Sequence, residues 1–370
     1  MSFVLSVFRE VNDPRDINAR HDLAELLFLA LAATLCGSKS CVEIADFADG
    51  REEELRQFLD LKHGLPSHDT FSRVFRLLDP AELEQAMRSL LGAIRREMGL
   101  PGRPRGVVAV DGKALRRGYD KGRSYMPPLM VSVWDAETRL SVASRLAEGG
   151  GEAAAALDLL KSLDLKGCTV TADALHCRPD TARELVKKKA HYALGLKGNR
   201  SKLYKCAEQS FAAADAAAGL PVFETRETAH GRQEVRRASL LPLNKLIDAP
   251  DFPGLKAIGR IEASRTSGDG RTTTSTRYVA LSKVLALEKM AMTVRAHWTI
   301  ENQLHWCLDV VFHEDDARTR KNNAPQNLAV IRRIARDMLE AHPLDKRIIS
   351  KMRRANWNKD FFYELFTHMR

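Results

Sequence analysis

The order of apolar segments between residues 107 and 199 constrains the fold of this 370-residue chain more than any other feature. Residues 107–110 form a continuous apolar run, which is typical of a strand buried on both faces. Two strand-like runs follow it directly, and helical and strand-like segments then alternate; these segments are residues 129–134, 140–143, 151–163, 168–172, 179–189 and 192–196. Three consecutive strands followed by helix–strand units predict a mixed sheet with helices on its faces.

This order is that of the ribonuclease H-like fold, an α/β (α+β) architecture in which a further helix packs back on the sheet after the fifth strand. Here that helix is delayed, because strand-like pieces and turn signals fill most of residues 200–285. We therefore predict a β-rich insertion at about residues 200–285, ahead of the last helix that packs on the sheet.

The composition of the chain predicts three domains. Residues 1–100 are predicted to form an all-helical domain, in which Ser67 and Asp79 stand where helix caps are needed. The sequence LPGRPRG at residues 100–106 is typical of a linker. Residues 101–345 are predicted to form the ribonuclease H-like domain, and residues 346–370 a basic helical tail.

The charge and cysteine content limit the class of protein. The net charge is +10 and the isoelectric point is near 9.4, which fits a polyanionic partner without requiring one. The six cysteines show neither a CxxC pair nor the spacing of a zinc site, which indicates free thiols in a reducing compartment. No signal-peptide pattern is present, and the longest apolar run, residues 26–36, is too short to span a bilayer. We therefore expect a cytoplasmic protein without a membrane partner.

Three carboxylates stand where strand and helix geometry would bring them together. Asp111 and Asp173 each follow a buried strand, and Glu301 lies within an apolar helix face in residues 292–309. Taken singly, each has a structural explanation, which is a turn or cap for either Asp and an ion pair for Glu301. Three converging carboxylates would instead repel one another and raise one another's pKa unless cations neutralise them.

The donor chemistry of this trio indicates which cations it would hold. Oxygen donors with no cysteine nearby suit Mg²⁺ or Mn²⁺, and two such ions match what an in-line displacement at phosphorus needs. We therefore predict that Asp111, Asp173 and Glu301 are the catalytic and metal-binding residues of a phosphoryl-transfer site.

Two other assignments compete for this chemistry. The acidic cluster at residues 314–316 competes with Glu301 as the third ligand, although it lies beyond the helix that would face the two Asp residues. His297 and His305 lie on the same helix face as Glu301, and the three together are a second possible grouping, which would hold zinc or iron.

Several motifs, in the same order along the chain, resemble those of one family. They are EIADFADGREEELRQFL, LPSHDTFSRVFRLLDP, VAVDGKALRRGYD, TADALHCRP, YALGLKGNR, RAHWTIENQLHWCLDVVFHEDDARTR and NLAVIRRIA. Together they resemble the ISAs1 group of insertion-sequence transposases, of the H-repeat-associated type, which are relatives of the IS4-type DDE enzymes. The resemblance implies an enzyme that cuts the ends of its own mobile element and joins them to target DNA. Its partners would be terminal inverted repeats and target DNA, and bringing two ends together implies a homodimer or larger assembly on DNA.

The resemblance places the family's three carboxylates at Asp111, Asp173 and Glu301. The wider IS4 signature has a Tyr, an Arg and a Lys around the Glu, and at those positions this chain has Val294, His297 and Leu308. The DNA contacts therefore do not carry over residue by residue. The residues predicted here to bind DNA are the polar groups near the three carboxylates: Lys113, Arg116, Lys197, Asn199, Arg295, His297 and His305.

Some of these assignments have a structural alternative. Lys113 and Arg116 have the pattern of a solvated basic turn as much as that of a DNA contact. Trp298 and Trp306 are candidates to stack on an unpaired base, although Trp298 shares the face of Glu301 and is expected in the core. For the whole protein, the alternatives are a nuclease that cleaves without joining and a transposase-derived DNA-binding protein without catalysis.

Overall fold

The computed structural model describes residues 3–118, 127–148, 151–217, 219–229 and 232–367. In these residues, nine strands form one mixed sheet: β1 (Val107–Ala114), β2 (Leu129–Asp135), β3 (Leu140–Leu146), β4 (Thr169–Ala172), β5 (His191–Leu196), β6 (Phe223–Ala229), β7 (Arg232–Pro242), β8 (Ala257–Thr266) and β9 (Thr272–Leu281). The order of the strands across the sheet is β3-β2-β1-β4-β5-β9-β8-β7-β6.

Helices flank this sheet and build most of the N-terminal and C-terminal parts of the chain. Their bounds are α1 (Phe3–Phe8), α2 (Leu23–Leu35), α3 (Cys41–Gly50), α4 (Glu52–Leu55), α5 (His68–Leu77), α6 (Pro80–Glu97), α7 (Gly151–Ser162), α8 (Pro179–Lys187), α9 (Ser201–Ala217), α10 (Leu287–Thr299), α11 (Trp306–Val310), α12 (Ala324–Ala341), α13 (Ile348–Trp357) and α14 (Lys359–Thr367). The side chains of Ser67 and Asp79 cap α5 and α6, as the sequence predicts. None of the helices in these described ranges is long and apolar enough to cross a membrane.

The first five strands have the order and directions of the ribonuclease H-like fold. Strands β1, β2 and β3 form an antiparallel meander, whereas β4 pairs in parallel with β1 and β5 in parallel with β4. Val108 and Val110 pack in one hydrophobic core and Ala109 in another, so both faces of β1 are covered. This two-sided burial is the reason for its continuous apolar run, and the predicted fold class is confirmed.

Two features of the sheet go beyond the prediction. Pairing with β2 continues past the apolar run as far as Ala114, so Asp111 lies within β1 rather than after it. The inserted strands β6 to β9 extend the same sheet, because β9 pairs in antiparallel register with β5. The β-rich insertion is therefore continuous with the sheet that carries Asp111.

The helix α12 lies at the centre of the helical part. It is buried along nearly its whole length and packs against α2, α5, α6 and β3. Its arginines, which contribute to the basic character of the C-terminal sequence, are enclosed: Arg332, Arg333 and Arg336 are at most 4% exposed. Because the helices on both sides of residue 100 share one core, contacts cross the predicted domain boundary, and the division into domains stays a prediction.

The C-terminal segment from residue 346 consists of α13 and α14 and packs through aromatic rings. Phe362 and Phe366 are fully buried, and the ring centroid of Phe366 lies 4.6 Å from that of Phe28 on α2. Trp357, the last residue of α13, is 76% exposed. The segment is therefore a packed part of the helical core.

This packing predicts a large difference between two aromatic substitutions in the same segment. Phe362→Ala should lower the free energy of unfolding by about 3–5 kcal/mol, because it leaves a cavity in the core. Trp357→Ala should change it by less than about 0.5 kcal/mol. Urea unfolding followed by circular dichroism measures both, and equal effects would show that the segment does not pack as described.

Candidate active site

The pairing of β1 with β4 places Asp111 beside Asp173. Val110 pairs with Ala172 in parallel register. The residues that follow them, Asp111 and Asp173, therefore lie side by side at the same edge of the sheet. Both carboxylates and Glu301 line one cleft of about 480 Å³. Other residues that line it include Thr171, Gly195, Lys197, Tyr204, Arg277, His297 and Trp298. The structure therefore brings the three carboxylates to one place, and their catalytic role stays a prediction.

The carboxyl group of Asp111 is strongly influenced by its surroundings. Burial raises its pKa to about 7, although a hydrogen bond from the Gly112 N–H acts to lower it. Part of the rise comes from the negative charges of three neighbours, Glu301, Glu152 and Asp173. A carboxylate in this position is repelled by its surroundings unless a cation is bound.

Asp173 begins a tight turn at the end of β4. Its Oδ1 accepts a hydrogen bond from the Leu175 N–H at 2.8 Å and so caps the short 3₁₀ turn Ala174–His176. The Asn199 side chain, which follows β5, donates to the carbonyl of Ala174 at 2.6 Å. Asn199, predicted to bind DNA, therefore holds the turn that positions Asp173.

Glu301 lies in a six-residue π-helical segment, Ile300–His305, between α10 and α11. At the start of this segment the Ile300 N–H donates to the carbonyl of His297, three residues back, whereas in a regular α-helix it would donate to that of Ala296. The π-helical turn that follows is wider than an α-helix, so the predicted regular helix is widened at Glu301. Segments of this kind are rare and occur frequently at functional sites.

The hydroxyl of Thr299 joins this segment to the sheet. It donates to the carbonyl of Ala296 at 2.6 Å and accepts from the Trp134 indole Nε1–H at 3.1 Å. Trp134 is fully buried on β2, and the Arg336 guanidinium lies 4.7 Å from its ring centroid. The hydrogen bonds of Thr299 therefore anchor the backbone just before Glu301 to the buried Trp134.

His297 and His305 lie close to the carboxylates as neutral rings. Burial lowers the pKa of His297 to about 4, and it lowers the pKa of His305 to about 3 with help from the nearby Arg333 and Lys113 charges. His297 Nδ1 lies 3.3 Å from Thr171 Oγ1, and His305 Nδ1 lies 3.6 Å from Asp111 Oδ2. At pH 7 neither ring brings a positive charge to DNA.

Lys113 has internal partners. Its ammonium is 6% exposed and lies 2.7 Å from Asp309, 3.3 Å from Glu314 and 2.9 Å from Asp315. Burial acts to lower its pKa, but these carboxylates outweigh it and the pKa is raised. Two of the three acidic residues that compete with Glu301 as a metal ligand, Glu314 and Asp315, thus already contact a cation, and Lys113 is not among the residues that line the cleft. We call these four side chains the Lys113 cluster.

The remaining predicted DNA-binding residues differ in their surroundings. Lys197 lines the cleft that holds the carboxylates. Arg116 is largely exposed and its Nε lies 3.2 Å from Asp315. Arg295, on α10, pairs with Glu227 of the inserted strand β6 at 2.7 Å.

Sequence reasoning missed Arg277 and Glu152 and placed Trp298 wrongly. Trp298, expected in the core, is 37% exposed and lines the cleft, with the Arg277 guanidinium 4.9 Å from its ring centroid. Glu152, on α7, influences Asp111 but follows no apolar strand that would have marked it. Neither Arg277 nor Glu152 carries a sequence signal, because their neighbours lie far away in the chain.

The donor set fits a divalent cation by its chemistry. Three carboxylates border one cleft, and the charges of Glu301 and Asp173 add to the effect of burial in raising the pKa of Asp111. Within the described part of the chain, no three Asp, Glu, His or Cys side chains are close enough together to enclose a metal ion.

Comparison with known proteins gives matches over almost the whole chain. Residues 102–338 match the family described as Transposase DDE domain, and residues 5–91 match the family described as DDE_Tnp_1-associated. The chain is 30% identical over 361 residues to "H repeat-associated putative transposase YhhI" of Escherichia coli K12, covering 92% of this chain and 91% of that protein. It is 32% identical over 337 residues to "Putative transposase YncI" of Escherichia coli O157:H7, covering 86% and 82%.

A solved structure of the piggyBac transposase synaptic complex with hairpin DNA is more distant. It is 13% identical, with a TM-score of 0.40, and the match covers 99% of this chain and 77% of that one.

The link between Trp134 and Thr299 can be tested by a matched pair of variants. Thr299→Val should lower the free energy of unfolding by about 1–3 kcal/mol, because it leaves the buried indole N–H without an acceptor. Thr299→Ser keeps the hydroxyl and should stay within about 0.5 kcal/mol of wild type. Urea unfolding measures both, and a Val variant as stable as the Ser variant would contradict the link.

The raised pKa of Asp111 predicts a pH-dependent stability in metal-free buffer. Because the folded pKa is about 7 and the unfolded one about 4, wild type should lose stability as pH rises between these values, and the loss should be complete above pH 7. Asp111→Asn removes this cost, so the variant should be the more stable protein at pH 8 by a few kcal/mol, on the order of 3, and the gain should vanish near pH 4.

Thermal unfolding in the presence of a chelator measures this effect at both pH values. Asp158→Asn, a change of a half-exposed carboxylate on α7, is the control and should not raise the melting temperature. A gain for Asp111→Asn that is equal at pH 4 and pH 8 would contradict the electrostatic explanation.

Proposed function

Because this chain belongs to the family of transposases with a DDE domain, we propose that it cleaves the ends of its own insertion sequence and joins the freed 3′-OH to target DNA. The observation that carries the proposal is the parallel register of β1 and β4, which sets Asp111 beside Asp173 in a cleft that Glu301 also lines. These three residues are the proposed catalytic carboxylates.

The proposed cofactor is Mg²⁺ or Mn²⁺, as two ions held by Asp111, Asp173 and Glu301. When bound, such ions neutralise the charge that builds up on the phosphate and increase the reactivity of the attacking oxygen. The crowding of negative charge around Asp111 supports this assignment, since a cation would relieve it.

The proposed reaction consists of two displacements at phosphorus. In the first, water attacks at the end of the element: a new P–O bond forms, the bond to the 3′ oxygen breaks, and a 3′-OH and a 5′-phosphate result. In the second, that 3′-OH attacks a phosphodiester of the target strand and displaces its 3′ oxygen. One site can perform both steps, because the attacking and leaving groups are oxygens in each.

Other side chains of the cleft would bind and orient the DNA. Lys197 and Arg277 line it and would supply positive charge to phosphates. His297, being neutral, would offer an N–H donor. His305 would act from the neighbouring cavity that it lines, where its Nδ1 lies 3.6 Å from Asp111 Oδ2. Arg116 lines a neighbouring cavity of about 420 Å³ that shares Asp111 and Glu301 with the cleft.

We further propose that Arg295 contributes to DNA binding after release from Glu227, and that Lys113 and Asn199 act by holding the backbone near the carboxylates. Because two element ends must be brought together, the active species would be a homodimer on DNA. It would act in the cytoplasm on terminal inverted repeats and target sites.

The carboxylate assignment is tested with supercoiled donor DNA that carries the gene and its flanking sequences. Asp111→Asn and Glu301→Gln should each lower the cleavage rate by more than about 100-fold. Loss of a residue that only supports a metal ligand costs roughly 10–100-fold, and loss of the ligand itself should cost more. DNA binding should persist, because phosphate contacts do not need the carboxylates. Asp316→Asn, an exposed carboxylate of the competing acidic cluster, should cleave like wild type. Normal cleavage by either of the first two variants would overturn the assignment.

A strand-transfer assay with pre-cleaved ends separates the alternatives. Joined products support a transposase, whereas cleavage without joining indicates a nuclease. Binding with neither reaction in the presence of Mg²⁺ or Mn²⁺ would indicate a DNA-binding protein without catalysis.

A further inference from the structure

A glutamate and a histidine outside the three carboxylates meet beside Asp173. Glu152 lies in the first turn of α7, and its Oε1 is 3.2 Å from His176 Nε2. His176, in the turn after β4, is 2% exposed, and the same nitrogen lies 3.9 Å from Asp173 Oδ1. A single imidazole nitrogen is thus located between the carboxylates of Glu152 and Asp173.

The other side of Glu152 lies against the strand that carries Asp111. A Cβ atom built on Gly112 would be 2.6 Å from Glu152 Oε1 and 2.7 Å from its Cδ, which is closer than atoms can approach. The carboxylate of Glu152 therefore occupies the space where a side chain at position 112 would begin. Glycine at position 112 leaves that space to the carboxylate, and α7 packs against β1.

We propose that Glu152 and His176 are a pair of positioning residues that hold Asp111 and Asp173 in place for a divalent cation. This inference rests on the proposed function, which supplies the cation. The pair connects the two strands by a route separate from the β1–β4 pairing, since Glu152 lies beside Gly112 and His176 belongs to the turn that Asp173 caps.

The charges of the pair explain how it works. Carboxylates this close repel one another, and an N–H group between two of them lowers the repulsion without neutralising either. The position of Glu152 in the first turn of a 12-residue helix also favours its negative charge through the helix dipole. The pair can therefore keep Asp173 near Asp111 before any cation binds, so less rearrangement is needed when it does.

The test is Mn²⁺ binding to the full chain without DNA, measured by electron paramagnetic resonance of the free ion. Glu152→Gln should weaken binding about 10-fold or more, because partners that orient metal ligands contribute that much. His176→Gln, whose amide nitrogen can take the place of Nε2, should retain most of the affinity, and His176→Leu should lose it. Asp158→Asn, on the same helix but outside the cleft, is the matched control and should bind like wild type.

A double variant tests whether the two residues act together. If they form one pair, Glu152→Gln combined with His176→Leu should weaken binding little more than either change alone. Gly112→Ala should also weaken binding, because its methyl group displaces the Glu152 carboxylate. Thermal unfolding of each variant identifies any loss of binding that comes from misfolding. If Glu152→Gln or His176→Leu misfolds, Gly112→Ala and His176→Gln test the pair in its place.

The outcomes separate this inference from the proposed function. Wild-type affinity in Glu152→Gln, or effects that add fully in the double variant, would overturn the role of the pair. If Asp111→Asn also binds Mn²⁺ like wild type, the proposed metal site itself is wrong. If Asp111→Asn loses binding and Glu152→Gln keeps it, only the inference about the pair fails.

Discussion

The parallel pairing of β1 with β4 is the constraint on which the rest of the site depends. Two strands that run in the same direction end at the same edge, and the register Val110 to Ala172 makes Asp111 and Asp173 neighbours. No contact between the two side chains is needed to achieve this. The backbone ladder aligns two like charges that would otherwise move apart, and packing on both faces of β1 stabilises that ladder.

The third carboxylate is positioned by different means. Glu301 is exposed and its helix is widened, so its placement depends on what holds the backbone just before it. Thr299 provides that link by bonding to the buried indole of Trp134 on β2. Beneath that indole lies Arg336 of α12, so the helical core supports the segment that carries Glu301. The sheet that carries Asp111 and the surrounding helices are in this sense one structural unit.

Several charged side chains of this protein are paired with one another in its interior. The Lys113 cluster and the pairing of Arg333 with Glu314 at 3.0 Å join β1, α11 and α12 through buried ions. Such pairs are costly to break, because each leaves an unpaired buried charge. Cations held in such pairs are not available to DNA, so groups that line the cleft, such as Lys197 and Arg277, are better candidates for DNA contacts.

The sequence by itself determined the strand order, the place of Asp173 after β4 and of Asp111 after the apolar run of β1, and the helical segment around Glu301. These follow from apolar periodicity and turn chemistry, which act between residues that are close in the chain. Only the tertiary structure decided the partners and the charge states. Glu152 meets Gly112, Arg277 lies over Trp298, and the two histidines are neutral, because contacts between distant segments and burial from water depend on how the whole chain packs.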